Sequence, residues 1–420
     1  MNIKQQILSY SGVNIINSSV PFLLLPILTN HLSTADYGIL SLIQLLIALS
    51  LPFVLMNSQG LLTIEYSNFS KQKYKNLISS AILLPFFGFL LLQIVFFFFK
   101  DIITEYFHLP LFYLHIIPLF VLFQAIPLII PVIFQAKKEP LNFGKFKIAM
   151  TLTNLLLSLL FVVILGFGWE GRLWGIVGAY TIFSIIGIIV IIKLELFRFK
   201  IDASSLKNLL SYGLPLIPHS LAAVVLSGSS RFFLGNMMGE SEIGMFSVAF
   251  QLASAVITIM ISVNQAWAPN LFEILNKYPN HKTKIKVVNQ TYKIMIFMLI
   301  ITITFIILCP LIFKLFININ YHQGIQVSQV IAFAFLFQGL YFMVTNYIYF
   351  TKRTEILSYI TLASSLIVLV ANYYFIDIYG IIGAAYALVL TYIFLFCVVF
   401  YYANRLIPMP WLYKFKRNDN

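Results

Sequence analysis

The chain has 420 residues, of which 60% are hydrophobic, 16% aromatic and only 10% charged. Soluble globular proteins usually carry about 25% charged residues, so this composition excludes an ordinary soluble globule. The net charge of +13 would suit nucleic-acid binding only if the basic residues clustered on one folded face, and they are instead spread between apolar runs. The sequence therefore predicts a membrane protein that binds no nucleic acid.

Apolar runs long enough to cross a bilayer occur along the whole chain, since a hydrocarbon core about 30 Å thick needs roughly 20 apolar residues. They predict twelve transmembrane spans, at 12–32, 38–60, 77–99, 111–134, 146–167, 174–194, 209–234, 243–267, 287–313, 325–349, 356–376 and 381–403. The first run is too long for the apolar region of a signal peptide, and no A-x-A-like cleavage site follows it. We therefore expect an all-α, polytopic membrane protein that retains this first span.

Basic residues are unevenly distributed between the two sides of this predicted topology. Cytoplasmic loops of membrane proteins retain Lys and Arg. The N-terminus, the C-terminal tail and every second connection hold 22 of the 27 Lys and Arg residues. The other connections hold only Lys100, Arg172, Arg231 and Lys314, and Lys293 lies inside the ninth run. Both termini are therefore predicted to be cytoplasmic.

Short segments of the first half recur in the second half in the same order. "GIVGAY" from Gly175 returns as "GIIGAAY" from Gly380, and "DYGILS" from Asp36 is matched by "EIGMFS" 206 residues later. These markers predict a duplication, with a six-helix bundle at 1–200 and a second one at 201–420 that ends in a cytoplasmic tail. Because each half has an even number of spans, the halves are expected to be parallel repeats around a central cavity, rocking against each other.

Polar residues inside the apolar runs concentrate in the first two spans of each predicted half. The predicted cavity residues are Asn14, Asn17, Gln44, Asn57, Glu65, His219, Arg231, Gln251, Asn264, Gln265 and Lys293. The predicted hinges are Pro21, Pro26, Pro215 and Pro218, since proline removes a helical hydrogen bond.

Each of these residues also has a plainer interpretation. The amides would then bond between helices for about 0.5–1 kcal/mol each. Lys293 and Arg231 would extend to the head groups at the membrane surface. His219 would be a hydrogen-bonded core residue, and Glu65 would only mark the end of the second span.

Several segments taken in order resemble a known family. They are "SYGLPLIP" opening the seventh span, an Arg near its far end, "IGMFSVAFQLA" opening the eighth, and the G-I-x-G-A echo. With the twelve spans they resemble, over essentially the whole chain, the polysaccharide-exporter branch of the multidrug/oligosaccharidyl-lipid/polysaccharide superfamily, the Wzx-type O-antigen and capsule flippases.

The resemblance implies a function, a location and a set of partners. It implies that an undecaprenyl-diphosphate-linked oligosaccharide crosses the bacterial cytoplasmic membrane by alternating access. Membrane lipids surround such a protein, and a polysaccharide polymerase is a candidate partner of the expected monomer. Arg231 is expected to contact the diphosphate, because a guanidinium donates a bidentate fork and stays charged. The family often places an acidic residue just before this Arg, whereas Ser229 and Ser230 precede it here.

Four other interpretations remain open from the sequence. A cation-coupled multidrug exporter of the same superfamily usually carries a carboxylate in its first span, where this chain has Asn14 and Asn17. A membrane enzyme of polysaccharide assembly would need acid, base or basic groups on a sizeable outer loop. The sequence has no metal-ligand cluster, phosphate-binding glycine loop or nucleophile triad, so we expect no enzyme activity, cofactor or metal. The third and fourth are a small-solute permease and a scaffold or scramblase-like protein.

The distribution of basic residues makes the predicted topology testable. Reporter fusions after Lys147 and Arg353 are expected to read as cytoplasmic, and fusions near Glu170 and Asp377 as external. The reverse reading at any one of these four positions would contradict the twelve-span topology.

Overall fold

The computed structural model describes residues 3–198, 202–277 and 280–412, without the side chains of residues 3–11, 14 and 15. These ranges are helical apart from short connections and contain no β-strand, which confirms the all-α prediction. The helices are α1 (Ile3–His31), α2 (Thr34–Leu55), α3 (Gln59–Glu65), α4 (Lys71–Phe98), α5 (Lys100–Phe107), α6 (Leu111–Ala136), α7 (Pro140–Leu159), α8 (Gly168–Lys193), α9 (Ala203–Gly213), α10 (Ile217–Met237), α11 (Glu240–Asn276), α12 (His281–Phe316), α13 (Gly324–Phe350), α14 (Thr354–Tyr379) and α15 (Ile381–Leu406).

Eleven segments of the described ranges are helical, long and apolar enough to cross a membrane, from Thr34–Leu55 to Ile381–Leu406. One of them combines α9 and α10 over 35 residues, and another combines α7 with the π-helical turn Leu160–Ile164. The predicted first span, 12–32, lies in the 29-residue helix α1, which has several side chains outside the described set. The chain is therefore a multi-pass membrane protein.

Two predicted spans are not continuous helices. The span 38–60 ends as helix at Leu55, and Met56 and Asn57 then adopt left-handed φ angles of 48° and 46° before α3 begins. Such angles are uncommon for residues other than glycine. The span 209–234 is interrupted by the 3₁₀ turn Leu214–Leu216, where Pro215 and the following Pro218 remove backbone donors. The second interruption lies at two of the predicted hinge residues, Pro215 and Pro218.

The chain divides into two compact units, residues 1–247 and 248–420. In the first unit, α2 packs against α4, α6, α8 and α10, and α7 pairs with α1 and α8. In the second unit, α13 packs against α12 and α15, and α14 packs against α15. The sequence-based division into repeats at residue 200 stays a prediction.

The first turns of α2 and α11 are in direct backbone contact inside the first unit. Gly38 lies against the carbonyl oxygen of Glu240, and Gly244 lies against that of Thr34. The Thr34 hydroxyl also donates to Ser241 Oγ over 3.1 Å. Glu240 and Gly244 follow Thr34 and Gly38 by the same 206 positions that separate the repeated segments, so the contact is reciprocal. A two-fold relation between duplicated segments produces such a pattern, which supports the duplication hypothesis.

This contact leaves no room for a side chain at either glycine. Gly38→Ala or Gly244→Ala is expected to lower the free energy of unfolding by about 1–3 kcal/mol, because the added methyl group would overlap backbone atoms. Gly12→Ala is the matched control, since no atom lies within 4 Å of the position that a Cβ atom would take there in α1. Thermal melting in detergent measures the difference, and equal melting temperatures for the three variants would contradict the tight contact.

Candidate functional site

Arg231 lies in the last third of α10 and is half-buried. Its Nε donates to Ser247 Oγ on α11 over 3.1 Å, and its Nη1 donates to the carbonyl oxygen of Ser227 over 3.0 Å. Both of these acceptors are neutral groups of the first unit. They orient the guanidinium group.

Arg172 is a second arginine within a candidate span, and the sequence prediction had placed it in an outer connection. The helix α8 begins at Gly168, so Arg172 is helical and half-buried. Its Nη1 donates to Asn154 Oδ1 over 2.6 Å and also to Ser158 Oγ, both on α7. Its Nη2 and Nε make no hydrogen bond to any residue of the described ranges.

A close approach of α7 and α8 brings Arg172 to these partners. Gly175 follows Arg172 by three residues and so lies on the same side of α8. A Cβ atom at Gly175 would lie 2.8 Å from the backbone nitrogen of Ser158. The absence of a side chain at Gly175 therefore lets α8 lie close enough to α7 for Arg172 to reach Asn154 and Ser158.

Tyr37 is buried on α2, next to the close contact at Gly38. Its helix packs against both α8, which carries Arg172, and α10, which carries Arg231. The three residues lie where α2 and α8 begin and where α10 ends, which is the outer end in the predicted topology.

The carboxylate next to Tyr37 has a structural role of its own. Asp36 accepts hydrogen bonds from the backbone nitrogen of Ser33 over 3.1 Å and from its hydroxyl over 2.7 Å. Ser33 in turn caps the backbone of α2, so the two residues form a capping box. Asp36 therefore stabilises the first turn of α2.

The other predicted polar residues of the first unit have different surroundings. Asn17 accepts from the Thr151 hydroxyl over 2.6 Å, which joins α1 to α7. The side-chain nitrogens of Asn17 and Asn57 are buried without a hydrogen-bond partner among the described residues. Gln44 is exposed on α2, and Glu65 ends α3. The side chain of Asn14 lies outside the described set.

The remaining predicted residues lie on several helices of the described structure. Asn264 accepts from Asn346 Nδ2 over 2.8 Å in the second unit, which fits the interhelical interpretation. The other positions are as follows: Gln251 is half-buried, Gln265, Lys293 and His219 are exposed, Pro21 and Pro26 lie inside α1, Pro215 lies in the 3₁₀ turn, and Pro218 lies in the first turn of α10. Their assignment to a substrate path stays a prediction. Within the described ranges, no group of three His, Cys, Asp or Glu side chains is placed to hold a metal ion.

Comparison with known sequences adds a family match. The family described as "Polysaccharide biosynthesis protein" matches residues 3–275. "Lsg locus putative protein 1" of Haemophilus influenzae is 24% identical over 369 residues, covering 83% of this chain and 85% of that protein. An "Uncharacterized membrane protein" of the same organism is 22% identical over 365 residues, covering 83% and 84%.

Solved structures share the fold. An inward-facing multidrug resistance MATE family transporter of the MOP superfamily is similar with a TM-score of 0.75 and 14% identity, over 93% of this chain and 94% of that one. The lipid II flippase MurJ in an inward closed conformation also has a TM-score of 0.75, with 16% identity over 94% and 87%. These identities are too low to transfer a substrate, so the likeness establishes the fold.

The exposed amide of Gln44 gives a test for a water-filled path along α2. In a background with Cys309→Ala and Cys397→Ser, Gln44→Cys is expected to react with a membrane-impermeant maleimide, because a thiol must ionise in water to react. Ile307→Cys is the control, since Ile307 is 70% exposed on the apolar helix α12 and is expected to face lipid. If the Gln44→Cys variant were as inert as the control, this face of α2 would be lipid-facing.

Proposed function

Because the chain belongs to the polysaccharide biosynthesis protein family, we propose that it translocates an undecaprenyl-diphosphate-linked oligosaccharide across the bacterial cytoplasmic membrane. The proposal includes alternating access, cytoplasmic termini, a monomer surrounded by membrane lipids, and a polysaccharide polymerase as a candidate partner. The chain would then be a transporter rather than an enzyme. The fold shared with a MATE transporter and with MurJ is compatible with this proposal.

Such a substrate needs a polar path through the membrane. A diphosphate and a hydrated sugar chain lose their hydrogen bonds with water in hydrocarbon, and each unpaired charge there is strongly unfavourable. The prenyl tail is apolar and can stay in the lipid. A transporter therefore has to offer polar and cationic groups to the head group alone, at positions inside the spanning helices.

The observation that carries the proposal is the half-buried Arg231 inside a spanning segment. A charged side chain at the centre of a bilayer costs about 2.5–3.5 kcal/mol on insertion scales, so arginines in spanning helices usually serve a function. Ser247 and the carbonyl oxygen of Ser227 accept hydrogen bonds from this guanidinium and orient it. A phosphate oxyanion is a suitable ligand for such a group, because their hydrogen bonds are charge-assisted.

A cation-coupled multidrug exporter is the second candidate, because the similarity to the inward-facing MATE transporter is as high as the similarity to MurJ. An exporter of this kind would need a carboxylate in its first span to bind the coupling cation. The predicted first span carries Asn14 and Asn17 and no Asp or Glu. Drug susceptibility of cells with and without the protein separates the two candidates, and a protein-dependent rise in resistance without any change in surface glycan would favour the exporter.

The proposed role of Arg231 gives a test of the flippase function. Arg231→Ala is expected to lower glycan export at least about tenfold, because a charge-assisted contact of roughly 1.5–3 kcal/mol is lost. Arg231→Lys should restore export only in part, since lysine keeps the charge but loses the planar fork. The measurement is surface glycan per inserted protein molecule, in a strain that lacks its own copy of the protein.

Arg353→Ala is the matched control, because Arg353 is exposed at the start of α14 and is not part of the proposed site. It should export normally. Full export by Arg231→Ala at normal abundance would remove Arg231 from the site. Full export by Arg231→Lys together with a lower abundance of Arg231→Ala would show that the residue only anchors α10 at the membrane surface.

A further inference from the structure

We propose that the second unit binds one anionic phospholipid individually, with an acyl chain in an apolar cavity between α12 and α15 and the head group beside Lys284. Such a lipid differs from those that surround every membrane protein, because one defined site selects it by its charge. The site lies entirely within the second unit, and the inference does not depend on the proposed substrate.

The first step is a short segment that follows α15. Residues 407–412 are not helical, and we call them the C-terminal strap. Lys284 Nζ of α12 donates to the carbonyl oxygen of Pro408 over 3.1 Å, and the Tyr292 hydroxyl donates to the carbonyl oxygen of Trp411. The rings of Tyr292 and Trp411 also meet edge to face, with their centroids 6.0 Å apart. The C-terminal strap is therefore fixed against α12 by defined contacts.

The second step is the cavity that the C-terminal strap helps to form. It has a volume of about 560 Å³, which lies in the range of roughly 300–1,000 Å³ typical of small-molecule sites. Its walls are aromatic and aliphatic except for Asn404 and the hydroxyl of Tyr292, which bonds to the C-terminal strap. A hydrocarbon chain is a suitable occupant of such a cavity. The main lining residues are Tyr292 and Met295 from α12, Phe396 and Phe400 from α15, and Met409 and Trp411 from the C-terminal strap.

The depth of the cavity fits the acyl-chain region next to the head groups. In the predicted topology the ninth span starts at residue 287 on the cytoplasmic side, so Tyr292 lies about 8 Å inside it at 1.5 Å per residue. The twelfth span ends at residue 403 on the same side, and Phe400 lies about 5 Å inside that end. The C-terminal strap follows at the level of the head groups.

The third step is a buried hydrogen-bond donor in the cavity wall. Trp411 Nε1 is buried and has no hydrogen-bond partner among the described residues. Buried N–H groups in folded proteins are nearly always paired, so an unpaired one indicates a missing acceptor. The ester and phosphate oxygens of a phospholipid are acceptors, and tryptophan side chains are enriched where a membrane offers both hydrocarbon and head groups. A plain hydrocarbon ligand would leave this donor unpaired.

The fourth step is the charge around the C-terminal strap. Lys284 is half-buried and bonds to a neutral carbonyl oxygen, so its charge is not balanced by that contact. The neighbouring basic side chains are exposed, and none of them forms an ion pair with a described residue. They are Lys282 and Lys286 in the first turns of α12 and Arg405 in the last turn of α15. Clustered basic side chains at the cytoplasmic surface attract anionic lipid, which fits a negatively charged head group here.

A purely structural role of the C-terminal strap is the competing explanation. Its contacts with α12 would then stabilise the second unit, and any apolar molecule would fill the cavity equally well. This explanation predicts no preference between lipids that have the same acyl chains and different head groups. The proposed site predicts a preference for the anionic head group that depends on the charge of Lys284.

The test uses Trp411 as a fluorescent reporter in full-length protein. The chain has four tryptophans, so a variant with Trp169→Phe, Trp174→Phe and Trp267→Phe keeps only this one. The protein is placed in phosphatidylcholine nanodiscs that contain increasing fractions of phosphatidylglycerol or phosphatidylcholine with brominated acyl chains. Bromine quenches tryptophan on contact, so the two titrations give relative association constants at the cavity.

Three further variants in the same background separate charge from the contact with the C-terminal strap. Lys284→Gln removes the charge but keeps an N–H donor for the Pro408 carbonyl oxygen, and Lys284→Arg keeps both. Arg353→Gln is the matched control, because Arg353 is an exposed arginine on the same predicted side of the membrane and does not line the cavity. The melting temperature of each variant is measured alongside.

We expect phosphatidylglycerol to associate at least about fivefold more strongly than phosphatidylcholine, the factor that corresponds to one basic residue near an anionic surface. Lys284→Gln should lose most of this preference, and Lys284→Arg and Arg353→Gln should keep it. Native mass spectrometry of protein with all four tryptophans, purified in detergent, gives a second measurement. It should show one retained phosphatidylglycerol for the unsubstituted protein and for Arg353→Gln, and none for Lys284→Gln.

Three fluorescence results would overturn the inference. Equal quenching by both lipids would mean that Trp411 contacts only the surrounding bilayer. No quenching by either lipid would mean that no acyl chain enters the cavity. An unchanged preference in Lys284→Gln would exclude the contact between Lys284 and the head group. If the single-tryptophan variant fails to fold, the mass spectrometry decides, and equal lipid retention by Lys284→Gln and the unsubstituted protein contradicts the site. The flippase proposal is tested separately, by the export measurements with Arg231.

Discussion

The backbone contact between α2 and α11 at Gly38 and Gly244 is the constraint on which the rest of the first unit depends. It fixes the start of α2, because Gly38 meets the Glu240 carbonyl and Thr34 meets Gly244. Tyr37 precedes Gly38 directly and is therefore held in the interior of the unit. From this position α2 packs against α8 and α10, which carry the two arginines. Helices in membranes rely on such contacts between small residues because lipid provides no hydrophobic driving force between them.

The orientation and charge of the Arg172 guanidinium follow from the kind of partners that hold it. A guanidinium paired with a carboxylate has little charge left to offer a ligand, whereas one held by amide and hydroxyl oxygens keeps its full charge and a fixed orientation. Asn154 and Ser158 hold Arg172 in this second way. These bonds orient the Arg172 side chain and join α7 to α8.

Much of the architecture could be predicted from the sequence, and the reasons for the errors are physical. The family resemblance and the all-α class were confirmed, because apolar run length and segment order are direct signals of a membrane fold. The predicted span 38–60 contains the polar residue Asn57, and hydropathy does not report the backbone angles of Met56 and Asn57 at which α2 ends. Arg172 was missed because hydropathy placed the start of its helix six residues too late, at 174 instead of Gly168. The environment of Tyr37 depends on packing between three helices, which no local pattern contains.

In each half, a glycine near the start of one helix contacts a backbone carbonyl oxygen, and the residue after that glycine is charged in one half and uncharged in the other. In α8, a Cβ at Gly171 would meet the carbonyl oxygen of Phe161, and in α15, a Cβ at Gly383 would meet that of Phe375. Each glycine thus contacts a phenylalanine carbonyl of the helical segment that precedes its own helix. The residue that follows the glycine is Arg172 in the first half and the fully buried Ala384 in the second. The helix contact at these two glycines therefore does not depend on the charge of the next residue, which is a cation in α8 and a methyl group in α15.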